Sequence, residues 1–258
     1  LGQTAYTQPA ILLVQMIAYK LFSDACPDVK AELFLGHSLG EFSALCASGA
    51  IDYVDDVELV HKRGAYMQSA CDSIEAGMMV LVGLDDESVE NICTEQRELG
   101  KKVWPANYNM DGQLVLAGIK ADLESLVDTF KEAGAKRAIV LDMSVASHCE
   151  ILSPAQEPLA KIMSSMIKDE FEAPIISNVT TKPYFSKDDA ISLLKEQLVK
   201  PVKYKQSILE IANDVDIAIE FGNGVVLKGL NRRIAKDLTT LNISDMASLQ
   251  KVKEEVCI

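Results

Sequence analysis

A glycine-flanked serine, Gly36-His37-Ser38-Leu39-Gly40, constrains this chain more than any other stretch. The run Lys30-Ala31-Glu32-Leu33-Phe34-Leu35 before it becomes apolar and stops at a glycine, which predicts a short buried strand. Behind it, Leu39, Phe42, Ala44, Leu45 and Ala47 make a helix-forming run with no breaker until Gly49. A G-x-S-x-G set between strand and helix has the pattern of a nucleophile elbow. Its glycines permit a turn that bulkier side chains would block, so the serine hydroxyl stands clear of the backbone. The N–H of Leu39 then lies at a positive helix end, where the charge of an oxyanion is favoured. With that strand and helix beside it, the motif reads as a nucleophile site rather than a structural turn.

With 258 residues, the chain has room for one large domain or two smaller ones. Apolar and charged shares of 48% and 24% are those of a globular protein. No stretch reaches the apolar length of a bilayer span, and the first residues lack the design of a signal peptide. Cys26, Cys46, Cys71, Cys93, Cys149 and Cys257 show neither C-x-x-C nor Cys/His metal spacing. They read as reduced thiols of a cytoplasmic protein, and no metal site is expected. A net charge of −13 argues against nucleic-acid binding. It would also repel an acidic partner unless basic residues cluster. Lys200, Lys203 and Lys205 form one candidate cluster; Lys228, Arg232, Arg233 and Lys236 form another. Either reads equally well as solvated side chains on exposed helices.

Along the chain, Thr7-Gln8-Pro9-Ala10 predicts a helix start, with a capping hydroxyl and a proline in the first turn. The run Ile11 to Phe22 continues it and is expected to be mostly buried. Val57, Val60, Gly64 and Met67 repeat at helical spacing, with Arg63 at the edge of the stripe, the usual place of a snorkelling surface residue. From 77 to 141 the pattern is strand (Met78 to Val82), helix (Asp85 to Leu99), a strand pair (Val103 to Tyr108, Gln113 to Ala117), helix (Ala121 to Ala133) and strand (Lys136 to Leu141). This βαββαβ order is that of a ferredoxin-like unit, inserted into a discontinuous main domain. Further strands are expected at Pro174 to Val179 and Ile217 to Phe221, and helices at Lys187 to Leu198 and Val225 to Ile234. Such alternation predicts an α/β fold with a mainly parallel sheet covered on both faces.

A serine needs a base to take its proton, and the chain has three histidines. His37 adjoins the serine, so its side chain should point away. His61, mid-helix before Lys62, reads as part of a half-exposed face. His148, in Ser147-His148-Cys149, lies between a strand and a helix, where the working residues of open α/β sheets gather. It is the candidate base by elimination, and no Asp or Glu can be assigned as its orienting partner.

Six segments together resemble a known family: Tyr6-Thr7-Gln8-Pro9-Ala10; Gly36 to Leu45; Arg63-Gly64-x-x-Met67-Gln68; Asn107-Tyr108-Asn109-x-x-Gly112-Gln113; Ser147-His148-Cys149; and Gln197-Leu198-x-x-Pro201-Val202. In this order they are similar to the malonyl-CoA:acyl carrier protein transacylases, within the acyltransferase family also found as domains of fatty-acid and polyketide synthases. The resemblance implies an α/β-hydrolase-like core (residues 1–76 and 142–258) around the ferredoxin-like insert (77–141). It implies Ser38 as nucleophile, His148 as general base and acid, the main-chain carbonyl of Gln197 in place of a triad acid, and the Leu39 N–H as oxyanion donor. Arg63 becomes the clamp for the malonyl carboxylate, a task suited to a guanidinium fork, and Asn107 and Asn109 line the pocket. A serine before His148 resembles the stand-alone bacterial enzymes. The implied partners are malonyl-CoA and acyl carrier protein in fatty-acid synthesis, with a monomeric enzyme, no cofactor beyond the coenzyme A thioester as substrate, and no nucleic acid or membrane.

Family members open with a strand and a Gly-Gln-Gly loop that supplies a second oxyanion donor. That segment is not in this sequence, and Gly2-Gln3 does not replace it. Part of the native protein is therefore expected to be missing from the chain. Were the chain to begin at Leu1, loss of one donor would cost on the order of a hundredfold or more in rate. Two other readings stand beside the transferase. One is a serine hydrolase or thioesterase; a patatin-like one would use Asp111-Gly112, which reads instead as a hairpin turn, and a lipase-like one expects a histidine nearer the chain end. The other is a non-catalytic fragment that binds acyl-CoA.

Overall fold

The computed structural model describes residues 3–257. Its elements are α1 (Thr4–Ala25), β1 (Phe34–Leu35), α2 (Leu39–Ala47), α3 (Tyr53–Cys71), β2 (Ala76–Val82), α4 (Asp86–Glu98), β3 (Val103–Met110), β4 (Gln113–Ile119), α5 (Lys120–Ser125), α6 (Val127–Glu132), β5 (Arg137–Val140), α7 (Ser153–Met166), β6 (Ile175–Ile176), β7 (Pro183–Tyr184), α8 (Lys187–Gln197), α9 (Tyr204–Ile211), β8 (Ile217–Phe221), α10 (Val226–Ile234), β9 (Thr239–Ile243) and α11 (Met246–Val256). This is a mixed α/β fold.

The mainly parallel sheet expected outside the 77–141 segment does not form as one continuous sheet among the described residues. Among the strands, parallel pairing is confined to β1 with β6 and to β8 with β9, and an isolated parallel bridge joins Asn107 to Val202. The two strand pairs lie in separate sheets, and no described strand joins them. The largest sheet is antiparallel, in the order β3-β4-β2-β5. Its strands and helices enclose a hydrophobic cluster of their own, with Met79, Leu81, Leu114, Leu116, Leu123 and Phe130 fully buried. The helix expected from Ala121 to Ala133 breaks at Leu126, where a bond to the Leu123 carbonyl tightens the chain and keeps both leucines buried.

The strand before the elbow is shorter than expected, because Ala31 and Glu32 are exposed and pairing with the 174–176 segment begins only at Phe34. Helix α1 starts before Thr7, which leaves Pro9 inside it. Its first turn is held against α3: a Cβ on Gly64 would lie 2.6 Å from the Ala5 Cα. Only a glycine admits that approach. Nor is α1 mostly buried. Leu12, Ala18 and Phe22 face the core, whereas Leu13, Val14, Ile17 and Leu21 are exposed among the described residues.

The cysteines also depart from expectation. Cys26, at the end of α1, is joined to Cys257, while Cys46, Cys71, Cys93 and Cys149 are free and buried. Phe22, Leu249 and Val252 pack α1 against α11 and bring Cα atoms 231 residues apart in sequence to 6.0 Å, within normal disulfide reach. Pairing across that separation is set by tertiary packing, which spacing rules do not capture. No helix among the described residues is long and apolar enough to cross a membrane.

Candidate active site

Ser38 sits between β1 and α2 with φ 54° and ψ −103°, a strained backbone for a residue with a Cβ. Gly36 makes this turn possible, since a Cβ there would lie 1.9 Å from the Gly40 carbonyl carbon. A Cβ on Gly40 itself would meet nothing within 4 Å, so of the two flanking glycines only the first is sterically required. Asn178, just after β6, pins the turn from both sides: its Nδ2 donates to the Gly36 carbonyl at 2.6 Å, and its Oδ1 accepts the Ser38 N–H at 2.7 Å. The Leu39 N–H, first in α2, has no acceptor among the described residues.

His148, itself at φ 61°, brings Nε2 to 2.8 Å from Ser38 Oγ. Its Nδ1 lies 2.7 Å from the Gln197 main-chain oxygen. A carbonyl can only accept, so Nδ1 bears the proton and Nε2 is free to take one from the serine. Burial first, and then the nearby Arg63 charge, push the imidazole down to about 3. The resting ring is therefore neutral.

Arg63 is not a snorkelling surface residue. It is 2% exposed, points inward from α3, and lies over the Phe42 ring at 5.0 Å from its centroid. Nη1 donates to Gln8 Oε1 at 2.6 Å; Nη2 donates to Gln197 Oε1 at 2.9 Å and to Ser38 Oγ at 3.1 Å. Nε is buried without a partner. Burial lowers the guanidinium to about 10, opposed by the Glu41 charge, so it stays cationic. A buried cation held by neutral amide oxygens, beside the Ser38 hydroxyl, can receive a carboxylate.

The hydrogen bonds thus join Ser38, His148, Gln197 and Arg63 in one cluster. Asn109, on β3, reaches the elbow through its Oδ1, 2.9 Å from His37 Nε2. Asn107 is buried on the same strand beside Val202 and makes none of the cluster's hydrogen bonds. His61 bonds the Ala5 carbonyl, away from the serine. Sequence reasoning assigned no role to Gln8, Glu41 or Asn178. Gln8 and Glu41 stand inside the quoted motifs, where a polar residue on a helix face otherwise buried was the available signal; Asn178 offered none. Among the described residues no group of His, Cys, Asp and Glu could hold a metal ion.

A family model described as acyl transferase domain matches residues 1–251. The chain is 38% identical over 255 residues to the malonyl CoA-acyl carrier protein transacylase of Haemophilus influenzae, covering 98% of this chain and 81% of that protein. It is similar to the crystal structure of malonyl-CoA:acyl carrier protein transacylase from Helicobacter pylori, with TM-score 0.95, 43% identity, and 99% and 81% of the two chains covered. A malonyl-transacylase in complex with a type II PKS acyl-carrier protein superimposes with TM-score 0.93 at 37% identity, covering 98% of this chain and 82% of that one.

Proposed function

Because the chain belongs to the acyl transferase domain family, we propose that it moves a malonyl group from coenzyme A to the phosphopantetheine thiol of acyl carrier protein, through an ester on Ser38. The observation that carries this reading is the meeting of Ser38 Oγ with both His148 Nε2 and the buried Arg63 guanidinium. Arg63 receives the malonyl carboxylate. Ser38 Oγ attacks the thioester carbon while His148 Nε2 takes its proton, and the Leu39 N–H faces the oxyanion. The C–S bond breaks, and His148 returns the proton to the departing coenzyme A sulfur. The carrier thiol then gives its proton to His148 and attacks the seryl ester. The C–O bond breaks, and the proton goes back to Ser38. Gln197 holds the imidazole through its main-chain oxygen, which accounts for the absence of a triad acid. Asn107 and Asn109 line the acyl pocket, and no cofactor enters the reaction.

The same reading treats residues 77–141 as a ferredoxin-like insert and residues 1–76 with 142–258 as a hydrolase-like core. The antiparallel β3-β4-β2-β5 order and the separate hydrophobic cluster support that division. Fatty-acid synthesis in the cytoplasm is the setting it implies. Mass spectrometry after mixing with malonyl-CoA is the test. A malonyl ester on the Ser38 peptide, discharged by pantetheine and absent in Ser38→Ala, is the expected result. Discharge by water as fast as by thiol would mean a hydrolase, and no adduct at all would leave only a binding fragment.

Docking of an acidic carrier on a chain of charge −13 requires a local basic surface. Lys205 is committed elsewhere, paired with Asp86 and Asp111. Arg232 and Arg233 are exposed in the last turn of α10, and Arg233 Nη1 lies 3.9 Å from Met110 Sδ at the end of β3. Asn109 on that strand reaches His37, so Arg233 lies against the strand that also touches the elbow. Reversal of both charges (Arg232→Glu with Arg233→Glu) is expected to raise KM for holo-acyl carrier protein about tenfold or more while sparing transfer to free pantetheine. An unchanged KM for the carrier would remove this surface from consideration.

A further inference from the structure

Glu41 lies in the first turn of α2, is 0% exposed, and takes no part in the proton transfers described above. Its Oε2 accepts the Gln197 Nε2–H at 2.7 Å and the Asn178 N–H at 3.1 Å. Gln197 Nε2 also donates to the Ser38 carbonyl at 3.1 Å, while its Oε1 accepts from Arg63 Nη2. One amide therefore stands between a buried carboxylate and a buried guanidinium. Its orientation follows from chemistry: an ionised carboxylate only accepts and a guanidinium only donates, so the NH2 must face Glu41 and the oxygen must face Arg63. The flipped amide would oppose two donors at Arg63 and two acceptors at Glu41.

The separation matters for binding. No carboxylate pairs directly with Arg63 among the described residues, so its donors are held by amide and hydroxyl oxygens that an incoming carboxylate can displace. A buried cation without any counter-charge would be costly, and Glu41 supplies that charge at one remove. The first-turn position of Glu41 favours the anion. Resting on the transferase reading above, we propose that Glu41 is a positioning residue that acts through the Gln197 amide, fixing Arg63 for the substrate carboxylate without occupying it.

The test compares transfer of malonyl and acetyl groups from their coenzyme A thioesters to pantetheine, by kcat/KM, about one unit above the value of about 7 to which burial raises the Glu41 carboxyl. In Glu41→Gln, an isosteric neutral change, the malonyl-over-acetyl preference is expected to fall about tenfold, the worth of one charge-assisted hydrogen bond. A merely structural role would lower both transfers equally and leave the preference intact, which overturns the proposal. In a Gln197→Met background, where the intervening amide is gone, adding Glu41→Gln should leave the preference unchanged. A further tenfold loss there would refute action through Gln197. If Glu41→Gln does not fold, Glu41→Asp, which withdraws the carboxylate by one methylene, is expected to weaken the preference in the same sense; an unaltered preference in it overturns the proposal. Arg63→Ala separates the layers. Loss of preference in Arg63→Ala but not in the Glu41 variants defeats this inference alone, whereas its retention in Arg63→Ala defeats the carboxylate clamp itself.

Discussion

His148→Ala is expected to slow acylation of Ser38 by malonyl-CoA about 10²–10⁴-fold, the usual worth of a positioned general base. The imidazole is the sole proton acceptor bonded to Ser38 Oγ among the described residues, at 2.8 Å. The other neighbour of that oxygen is Arg63, which can only donate. Without His148 the proton has to leave to water, and a neutral serine hydroxyl is a poor nucleophile. Single-turnover acylation, followed by mass spectrometry of the Ser38 peptide, measures the step directly. The wild-type enzyme carries a second signature. Burial and the Arg63 charge hold the imidazole near 3, so it is already unprotonated well below the usual histidine range. Its contribution to acylation should therefore show no inflection near pH 6.5, the ordinary histidine value. A rate in His148→Ala within a few-fold of wild type would remove the histidine from the mechanism.

Arg63→Ala should cut kcat/KM for malonyl transfer by about 10²- to 4 × 10³-fold, since truncating one partner of a buried charge pair costs about 3–5 kcal/mol and each 1.4 kcal/mol is about tenfold. Acetyl transfer should change far less, because an acetyl group has no carboxylate to lose. Two effects even favour it in the variant. Arg63 is one of the causes that lower His148, so its removal raises the basicity of the ring. The guanidinium also donates to Ser38 Oγ in the resting enzyme, and that lone pair becomes free. Paired measurements of kcat/KM for malonyl-CoA and acetyl-CoA read the outcome. Equal losses for both acyl groups would show a collapsed site rather than a missing clamp.

How far the sequence could be read differs from part to part. The turn at Ser38 was legible because steric and conformational rules act on neighbours in the chain. Apolar strand, glycine and helix-forming run all lie within a few residues. The six strand and helix segments between 77 and 141 followed from alternation and turn chemistry, apart from the helix break at Leu126. Less could be read toward the end of the chain. Helices α9 and α11 and strand β9 went unassigned: β9 carries two threonines and an asparagine, and its pairing with β8 is what makes it a strand. The disulfide was hidden because its cysteines stand 231 residues apart.

Arg63 marks the boundary between the two levels. Helical periodicity placed it at the edge of an apolar stripe, where an exposed side chain is the ordinary outcome. Only the packing of α1 against α3, with Gly64 allowing the close approach, turns it into a buried cation beside Ser38. Glu41 and Asn178 are of the same kind, since their partners lie more than a hundred residues away in the chain. Local sequence thus determined the turn at Ser38 and the order of most elements. Tertiary structure decided which charges are buried and which amide stands between them. The reason is physical: backbone conformation responds to adjacent residues, whereas desolvation and charge pairing depend on atoms that only the fold brings together.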